Sequence, residues 1–132
     1  MDRFDELRRR FTGLILTDEP MARHTNWRIG GPAELYATAT SADELRQLVG
    51  LASELGIPWL VLGNATNVLI SDAGVEGLVI QNRARHYEIR PFPGDETRRI
   101  VYAESGVPQF MLARETVKQG LEGFHYAVGI PG

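Results

Sequence analysis

The sequence contains no cysteine, which excludes disulfides, thiolate nucleophiles and cysteine-ligated metal or iron–sulfur centres. Its three histidines, His24, His86 and His125, lie far apart and show no metal-ligand spacing, so we expect no metal site. No apolar run approaches the roughly 20 residues that cross a bilayer, and the charged N-terminus lacks the apolar core of a signal peptide. These absences predict a cytoplasmic protein with no membrane partner.

Positive charge is also scarce. Asp and Glu number 17 against 14 Lys and Arg, the formal net charge is -3, and Lys118 is the single lysine. Nucleic acids and anionic membranes both attract a clustered excess of positive charge, which this chain lacks. We therefore expect no nucleic-acid partner. The densest basic run, residues 8–10, sits among acidic residues and is typical of a solvated helix face.

The clearest local pattern is a helix over residues 41–55. Ser41 is a good N-cap, and Glu44 three residues later predicts the reciprocal bonds of a capping box. Gly56 can end the helix and Pro58 prevents its continuation, so PWLVLG predicts a new strand. We expect that strand to return beside its predecessor in a β-α-β unit. The apolar stripe of the helix is Leu45, Leu48, Val49, Ala52 and Leu55.

The other patterns complete an α+β order with no internal repeat or long linker. They predict a helix over 2–12, strands over 13–20 and 33–40, two short strands on either side of Asp72-Ala73-Gly74, a hairpin over 85–105 and a helix over 108–119. Gly120 is predicted to end that last helix. The expected inward residues are Ala33, Leu35, Ala37 and Ala39 on a strand, and Phe110, Ala113 and Val117 on the last helix.

The stretch PWLVLGNATNVLISD, residues 58–72, places a glycine loop after an apolar strand. A P-loop requires a lysine that is absent here, and a Rossmann loop opens a helix, whereas Val68-Leu69-Ile70 reads as more strand. A loop between strands can still bind a pyrophosphate through converging backbone N–H groups, with side-chain donors from Thr66 and Asn67. The alternative is an ordinary Gly-Asn turn with local hydrogen bonds, and the residues alone favour that turn without excluding the pyrophosphate.

Three segments in register resemble one enzyme family. They are HTNWRIGGPAELY at 24–36, LGIPWLVLGNATNVLISDAGVEGLVI at 55–80 and GLEGFHYAVGIPG at 120–132. Together they resemble the UDP-N-acetylenolpyruvoylglucosamine reductases (UDP-N-acetylmuramate dehydrogenases), and the resemblance covers nearly the whole chain from about residue 20. The family consists of flavoproteins similar, in their FAD-binding part, to p-cresol methylhydroxylase and vanillyl-alcohol oxidase.

The resemblance implies an α+β fold of two subdomains that clasp FAD between them. After an N-terminal helix and extended segment over 1–19, the first subdomain is expected over 20–79. The second is expected over 80–132 and incomplete, with the family's substrate domain absent from these residues. Because the chain stops in the turn-rich segment Gly-Ile-Pro-Gly, we expect it to be a truncated form.

The resemblance also implies the cofactor contacts. The pyrophosphate loop of the family falls on Gly63, Asn64, Ala65, Thr66 and Asn67, and the segment beside the flavin falls on Gly129, Ile130, Pro131 and Gly132. No histidine stands between residues 63 and 72, so we expect non-covalent FAD. Ala65 replaces a glycine of the family and would cost ~1 kcal/mol if its φ is positive.

The reaction implied is reduction of FAD by NADPH, followed by hydride transfer to the enolpyruvyl group of a UDP-sugar. Its product is a peptidoglycan precursor, which connects the family to cell-wall biogenesis, cell shape and cell division. The family's catalytic arginine, serine and glutamate are expected beyond residue 132, and we assign none of those roles to Arg28, Ser71 or Glu122. We therefore expect residues 1–132 alone to be inactive. The alternatives are another flavin oxidoreductase of the superfamily, or a non-catalytic flavin- or nucleotide-binding or interaction module.

Several further residues have a structural interpretation and a functional one. Thr25, Asn26 and Arg28 either frame the flavin site or form a polar turn before a strand. Asp72 is expected to form a turn by bonding local amides. Aromatic and histidine side chains among apolar neighbours are more often core than cofactor contacts, and on this basis we expect burial at Trp27, Trp59, His125 and Tyr126.

Overall fold

The computed structural model describes residues 1–128, so the predicted flavin-side segment Gly129, Ile130, Pro131 and Gly132 lies outside the described residues. Within residues 1–128 the elements in chain order are α1 (Arg3–Arg10), β1 (Ile15–Pro20), a 3-10 helix (Met21–Arg23), β2 (Pro32–Ala39), α2 (Ala42–Glu54), β3 (Trp59–Leu62), β4 (Val75–Asn82), β5 (Tyr87–Phe92), β6 (Asp95–Ala103), α3 (Gln109–Lys118) and a 3-10 helix (His125–Ala127). None of these helices has the length and apolar character to cross a bilayer.

Four strands form one sheet in the order β1-β2-β4-β3. β1 runs antiparallel to β2, whereas β2 and β3 each run parallel to β4. The expectation that β3 would return beside β2 is wrong, because β4 lies between them. β4 is eight residues long and almost wholly buried, which suits a central position, whereas the four-residue β3 exposes Trp59 and Leu60 at the edge.

Helix α2 follows its local sequence signals closely. The Ser41 side chain accepts a hydrogen bond from the Glu44 backbone N–H at 3.1 Å, as predicted for the N-cap. The reciprocal bond is displaced by one residue, since the Glu44 carboxylate accepts from the backbone N–H and hydroxyl of Thr40, at 2.7 and 2.8 Å. Gly56 ends the helix with a φ of 64°. The predicted apolar stripe is confirmed as the face that packs on the sheet.

The sheet has a different cover on each face. One face packs against α1 and α2, and its core includes Leu7, Leu35, Leu48 and Ile80 together with the predicted Ala37 and Ala39. The opposite face, which we call the loop face, is built from Tyr36, Leu62 and Val79. It is covered by Met21 from the first 3-10 helix and by Ile70 from the connection between β3 and β4. Ala33 is buried as expected but belongs to the loop-face cluster, at the point where the register of β2 and β4 shifts.

The predicted hairpin is confirmed as the antiparallel pair β5 and β6, which forms a separate two-stranded sheet. Helix α3 begins after Pro108, and Gly120 follows its end with a φ of 72°. Its buried residues are Leu112, Ala113 and Thr116. The expected inward positions Phe110 and Val117 are wrong, because the buried stripe is centred on 112, 113 and 116 and leaves both side chains half exposed.

Burial was wrongly expected for four side chains. Trp27 is 57% exposed because it lies in a loop and not in a strand. Trp59 is 45% exposed because β3 is an edge strand, and its indole N–H donates to the Ser53 hydroxyl at 3.0 Å. His125 and Tyr126 are also exposed, Tyr126 by 68%, because both lie in a short surface 3-10 helix.

Candidate functional site

The glycine loop, residues 63–67, follows β3 at the carboxyl end of the parallel strands. The expectation that Val68-Leu69-Ile70 forms a strand is wrong, since no strand occurs between residues 63 and 74. Instead Ile70 is buried on the loop face. The backbone beyond it pairs with another loop, as Ser71 accepts a hydrogen bond from the Gly31 N–H at 2.8 Å. This alternative partner keeps the segment out of the sheet.

A second loop, residues 24–31, supports the glycine loop. The buried Thr25 hydroxyl donates to the Ile29 carbonyl at 2.7 Å and accepts from the Ile29 N–H at 3.1 Å, which closes a turn. The neighbouring Asn26 N–H donates to the Ala65 carbonyl at 3.1 Å. Thr25 therefore forms the polar turn that the sequence suggested, and Asn26 connects that turn to the glycine loop.

The end of the loop 24–31 and the turn at residues 71–74 approach each other with no space for side chains at two glycines. A Cβ on Gly31 would lie 2.1 Å from the Asp72 carbonyl oxygen, and a Cβ on Gly74 would lie 2.0 Å from the Pro32 carbonyl oxygen. Gly74 also has a φ of 91°, which favours glycine. These glycines therefore allow the backbone of residues 31–32 to contact the backbone of residues 72–74 directly.

The turn around Gly74 is made by a different residue from the one expected. Ser71 accepts from the Gly74 N–H at 2.9 Å with its carbonyl, and from the Ala73 N–H at 3.1 Å with its hydroxyl. Within residues 1–128 no such bond comes from Asp72, whose carboxylate is exposed. The expected role of Asp72 as the turn-former is therefore wrong, because the serine side chain already satisfies the local amide.

The glycine loop presents donors that a phosphate can use. Within the described residues, the backbone N–H groups of 63–67 donate to no other protein group, and the side chains of Asn64, Thr66 and Asn67 are exposed. Arg85 places its guanidinium 3.3 Å from the Asn64 side-chain oxygen. Free N–H groups on a tight loop beside a guanidinium are suited to an anion. No cluster of His, Asp or Glu suited to a metal ion occurs in the described part of the chain.

Ala65 keeps the backbone conformation of a glycine. Its φ is 52°, and its side chain is buried. A left-handed conformation costs an alanine about 1–2 kcal/mol, so the condition under which this residue strains the loop is met. The bond from Asn26 to its carbonyl, together with the burial of its methyl group, offsets part of that cost.

Replacing Ala65 with glycine is expected to change the free energy of unfolding by less than about 1 kcal/mol. Relief of strain is offset by the flexibility of glycine in the unfolded chain and by loss of a buried methyl group. The matched control is Ala73→Gly in the same loop, where φ is not positive and about 0.4–1 kcal/mol should be lost. Urea denaturation of both variants checks this, and a larger loss for Ala65→Gly than for Ala73→Gly would contradict it.

A chain of polar contacts crosses the loop face beneath the glycine loop. The Glu19 carboxylate lies 2.9 Å from His24 Nε2, and His24 Nδ1 lies 3.1 Å from the Tyr36 hydroxyl. That hydroxyl donates to the Gln81 side-chain oxygen at 3.0 Å, and the Gln81 amide nitrogen donates to the Gly63 carbonyl. Burial raises the pKa of the Tyr36 hydroxyl above its ordinary value.

The sequence indicated Asn26 only as part of a flavin-site frame or a polar turn, and the contacts of Gln81 and Arg85 were missed. One of them had a detectable signal, because Gln81 is polar in the otherwise apolar strand sequence GLVI that precedes it. A buried glutamine requires hydrogen-bond partners, which here are Tyr36 and Gly63. The contacts of Asn26 and Arg85 depend on how the loops fold back and carry no pattern in the sequence.

Comparison with known proteins gives one matching family. The model of the family described as the FAD binding domain matches residues 33–132. That span includes the glycine loop, Gln81 and Arg85, and it extends through the segment beyond the described residues.

Curated relatives share one name, UDP-N-acetylenolpyruvoylglucosamine reductase. The protein of Heliobacterium modesticaldum is 40% identical over 126 residues, which are 96% of this chain and 38% of the relative. Those of Geobacter sulfurreducens and Clostridioides difficile are 42% and 38% identical, over 91% and 89% of this chain. These relatives confirm the resemblance found in the sequence. The chain spans less than two fifths of their length.

A solved structure of p-cresol methylhydroxylase with substrate bound shares the fold. The TM-score is 0.60 at 16% sequence identity, over 90% of this chain and 25% of the other. This similarity confirms the predicted α+β, p-cresol methylhydroxylase-type FAD-binding fold.

Proposed function

The chain belongs to the family of the FAD binding domain, and on that basis we propose that it is the FAD-binding part of a UDP-N-acetylenolpyruvoylglucosamine reductase. The observation that carries this proposal is the identity of about 40% to relatives of that name over more than nine tenths of the chain. The chain spans 38% of the Heliobacterium relative, so the reductase activity is proposed only for a protein of that length that contains this chain.

We propose that the glycine loop binds the pyrophosphate of non-covalent FAD. Three features support this assignment: the unpaired backbone N–H groups of residues 63–67, the hydroxyl of Thr66, and the guanidinium of Arg85 beside Asn64. Donors on the loop backbone orient the anion, and the arginine compensates part of its charge. The same proposal extends to Gly129, Ile130, Pro131 and Gly132 as the segment beside the flavin, and to the subdomain boundaries at residues 19–20 and 79–80.

The residues of this chain would bind and position the cofactor and would not transfer protons. When bound, FAD supplies the redox chemistry, accepting electrons from NADPH and passing them to the enolpyruvyl UDP-sugar. The loop donors hold the pyrophosphate, and the loop-face core beneath them keeps water from the buried side of the loop. We assign no catalytic residue to this chain. Because the proposed substrate is a nucleotide sugar of cell-wall synthesis, we place the reaction in the cytoplasm.

The proposal predicts a flavoprotein. Expressed over its full natural length, the protein containing this chain should purify yellow, release FAD on denaturation, and oxidise NADPH only when the enolpyruvyl UDP-sugar is present. The control is the same assay without the sugar nucleotide, and NADH in place of NADPH measures the preference of the nicotinamide cofactor. A colourless protein whose thermal unfolding is unaffected by added FAD would refute the proposal.

A further inference from the structure

We propose that Gln81 is a positioning residue for the glycine loop, because its buried amide holds the Gly63 carbonyl and thereby aims the next backbone N–H outward. The identity of the ligand as FAD pyrophosphate rests on the proposed function. The role of Gln81 in shaping the loop does not depend on that identity, since it rests on contacts within the chain.

The position of Gln81 follows from the strand register. In the parallel pair of β3 and β4, Gln81 lies opposite Leu62, the last residue of β3. Its side chain lies on the loop face with Tyr36, and it reaches the carbonyl of the first loop residue, Gly63. Gln81 is 4% exposed, so water does not compete for this amide. The strand pairing therefore sets where the loop begins, and the glutamine sets how its first peptide is oriented.

Because the peptide bond is planar, a hydrogen bond that fixes the direction of a carbonyl also fixes the direction of the N–H that follows it. In a trans peptide the C=O and the following N–H point in opposite directions, and the structure contains no cis peptide bond in residues 1–128. Because Gly63 O is held toward the sheet by Gln81, the Asn64 N–H points away from the sheet. The Ala65 carbonyl is held in the same manner by the Asn26 N–H, which fixes the direction of the Thr66 N–H. The hydrogen bonds to the Gly63 and Ala65 carbonyls thus orient two donors of the loop, the N–H groups of Asn64 and Thr66.

Tyr36 anchors the end of the Gln81 amide that faces away from the loop. Its hydroxyl donates to the Gln81 oxygen at 3.0 Å, so the nitrogen is the end that faces Gly63. A rotated amide would set its oxygen against the Gly63 carbonyl, which can only accept, so the donor end of the amide faces the loop. Tyr36 is therefore a second positioning residue that acts through Gln81.

The test compares two isosteric substitutions on adjacent residues of β4. Gln81→Glu keeps the size of the side chain but replaces the donor by an acceptor facing the Gly63 carbonyl. The matched control is Asn82→Asp, because Asn82 is also buried but donates to Ser105 at 2.8 Å, away from the loop. In the full natural-length protein, Gln81→Glu should raise the Kd for FAD at least about tenfold, the loss expected for one buried hydrogen bond. Asn82→Asp should leave that Kd within about threefold, as expected for a site that shares no partner with the loop.

A measurement without cofactor separates this inference from the proposed function. In the ¹⁵N-labelled, FAD-free protein, the Asn64 amide ¹⁵N shift reports the hydrogen bond on the Gly63 carbonyl and should move in Gln81→Glu but not in Asn82→Asp. If the unaltered protein binds no FAD and the Asn64 signal moves, the proposed function fails and the positioning role stands. If FAD binds equally well to Gln81→Glu and the Asn64 signal is unchanged, the positioning role is overturned and the proposed function stands.

A second variant covers the case in which Gln81→Glu does not fold. Tyr36→Phe removes the hydroxyl that contacts the Gln81 oxygen and His24, and a hydroxyl deletion leaves the apolar part of the loop-face core in place. We expect it to shift the same Asn64 signal and to weaken FAD binding by a smaller factor than Gln81→Glu. An unshifted Asn64 signal and unchanged FAD affinity in Tyr36→Phe would overturn the role assigned to this pair.

Discussion

Replacing Gly31 with alanine is expected to cost about 3 kcal/mol or more of the free energy of unfolding. The new Cβ would lie 2.1 Å from the Asp72 carbonyl oxygen and 2.6 Å from the Gly74 nitrogen, which are backbone atoms that no side-chain rotation can move aside. Moving Gly31 away from residues 71–74 would also break the 2.8 Å bond from the Gly31 N–H to the Ser71 carbonyl and strain the 3.0 Å bond from the Met21 N–H to the Gly31 carbonyl. Each backbone bond contributes about 1 kcal/mol.

The matched control is Gly50→Ala in the middle of α2. A Cβ on Gly50 meets no atom within 4 Å, and alanine favours the helix over glycine by about 1 kcal/mol. Replacing glycine with alanine should therefore raise the free energy of unfolding at residue 50 and lower it at residue 31. Thermal and urea unfolding of both variants measures the difference. Two curves that coincide with that of the unaltered protein would show that the loops do not make the backbone contact described above.

Local signals in the sequence predicted the elements whose cause is local. The prediction of helix α2 was correct because its signals, namely the Ser41 cap, the apolar stripe and Gly56, all lie within or next to the helix. The hairpin of β5 and β6 was correct because its turn residues lie between its two strands. Each of these signals depends on contacts close in sequence, which periodicity and capping rules describe.

Predictions that depended on distant contacts failed. The place of β3 beside β2 was wrong because β4, which comes later in the sequence, pairs with both. The strand expected at Val68-Leu69-Ile70 was wrong because the loop containing Gly31 supplies a competing backbone partner for this region. A run of apolar residues indicates burial but does not identify the partner, and burial of Ile70 is the part of that prediction that was correct.

In the candidate site, too, the local features were predictable from the sequence and the contacts between distant residues were not. The loop 63–67 and the concern about Ala65 came from the sequence, and the φ of 52° shows that the alanine occupies a glycine conformation. The groups that hold this loop, Gln81 and Asn26, lie 18 residues or more along the sequence from the loop residues that they contact. No motif spacing connects such positions in a single sequence, so the support of the loop required the structure.

The second large effect is expected on cofactor binding. Replacing Thr66 with aspartate should weaken FAD binding at least about 30-fold, or about 2 kcal/mol, if the glycine loop holds the pyrophosphate. Thr66 is exposed, so a carboxylate there is accommodated without repacking the core. Its negative charge would then face the two negative charges of the pyrophosphate across the loop, where repulsion at about 4 Å amounts to several kcal/mol.

The matched control is Thr12→Asp, the same substitution at an exposed, non-helical residue between α1 and β1. Both variants change the net charge equally, so a general electrostatic effect on FAD would appear in both. We expect a lower FAD affinity only for Thr66→Asp, measured by quenching of flavin fluorescence, with thermal unfolding of the cofactor-free protein unchanged in both. Because repulsion between charges is screened by salt, the loss in Thr66→Asp should shrink at high ionic strength. Equal affinities of the two variants for FAD would place the pyrophosphate away from residues 63–67.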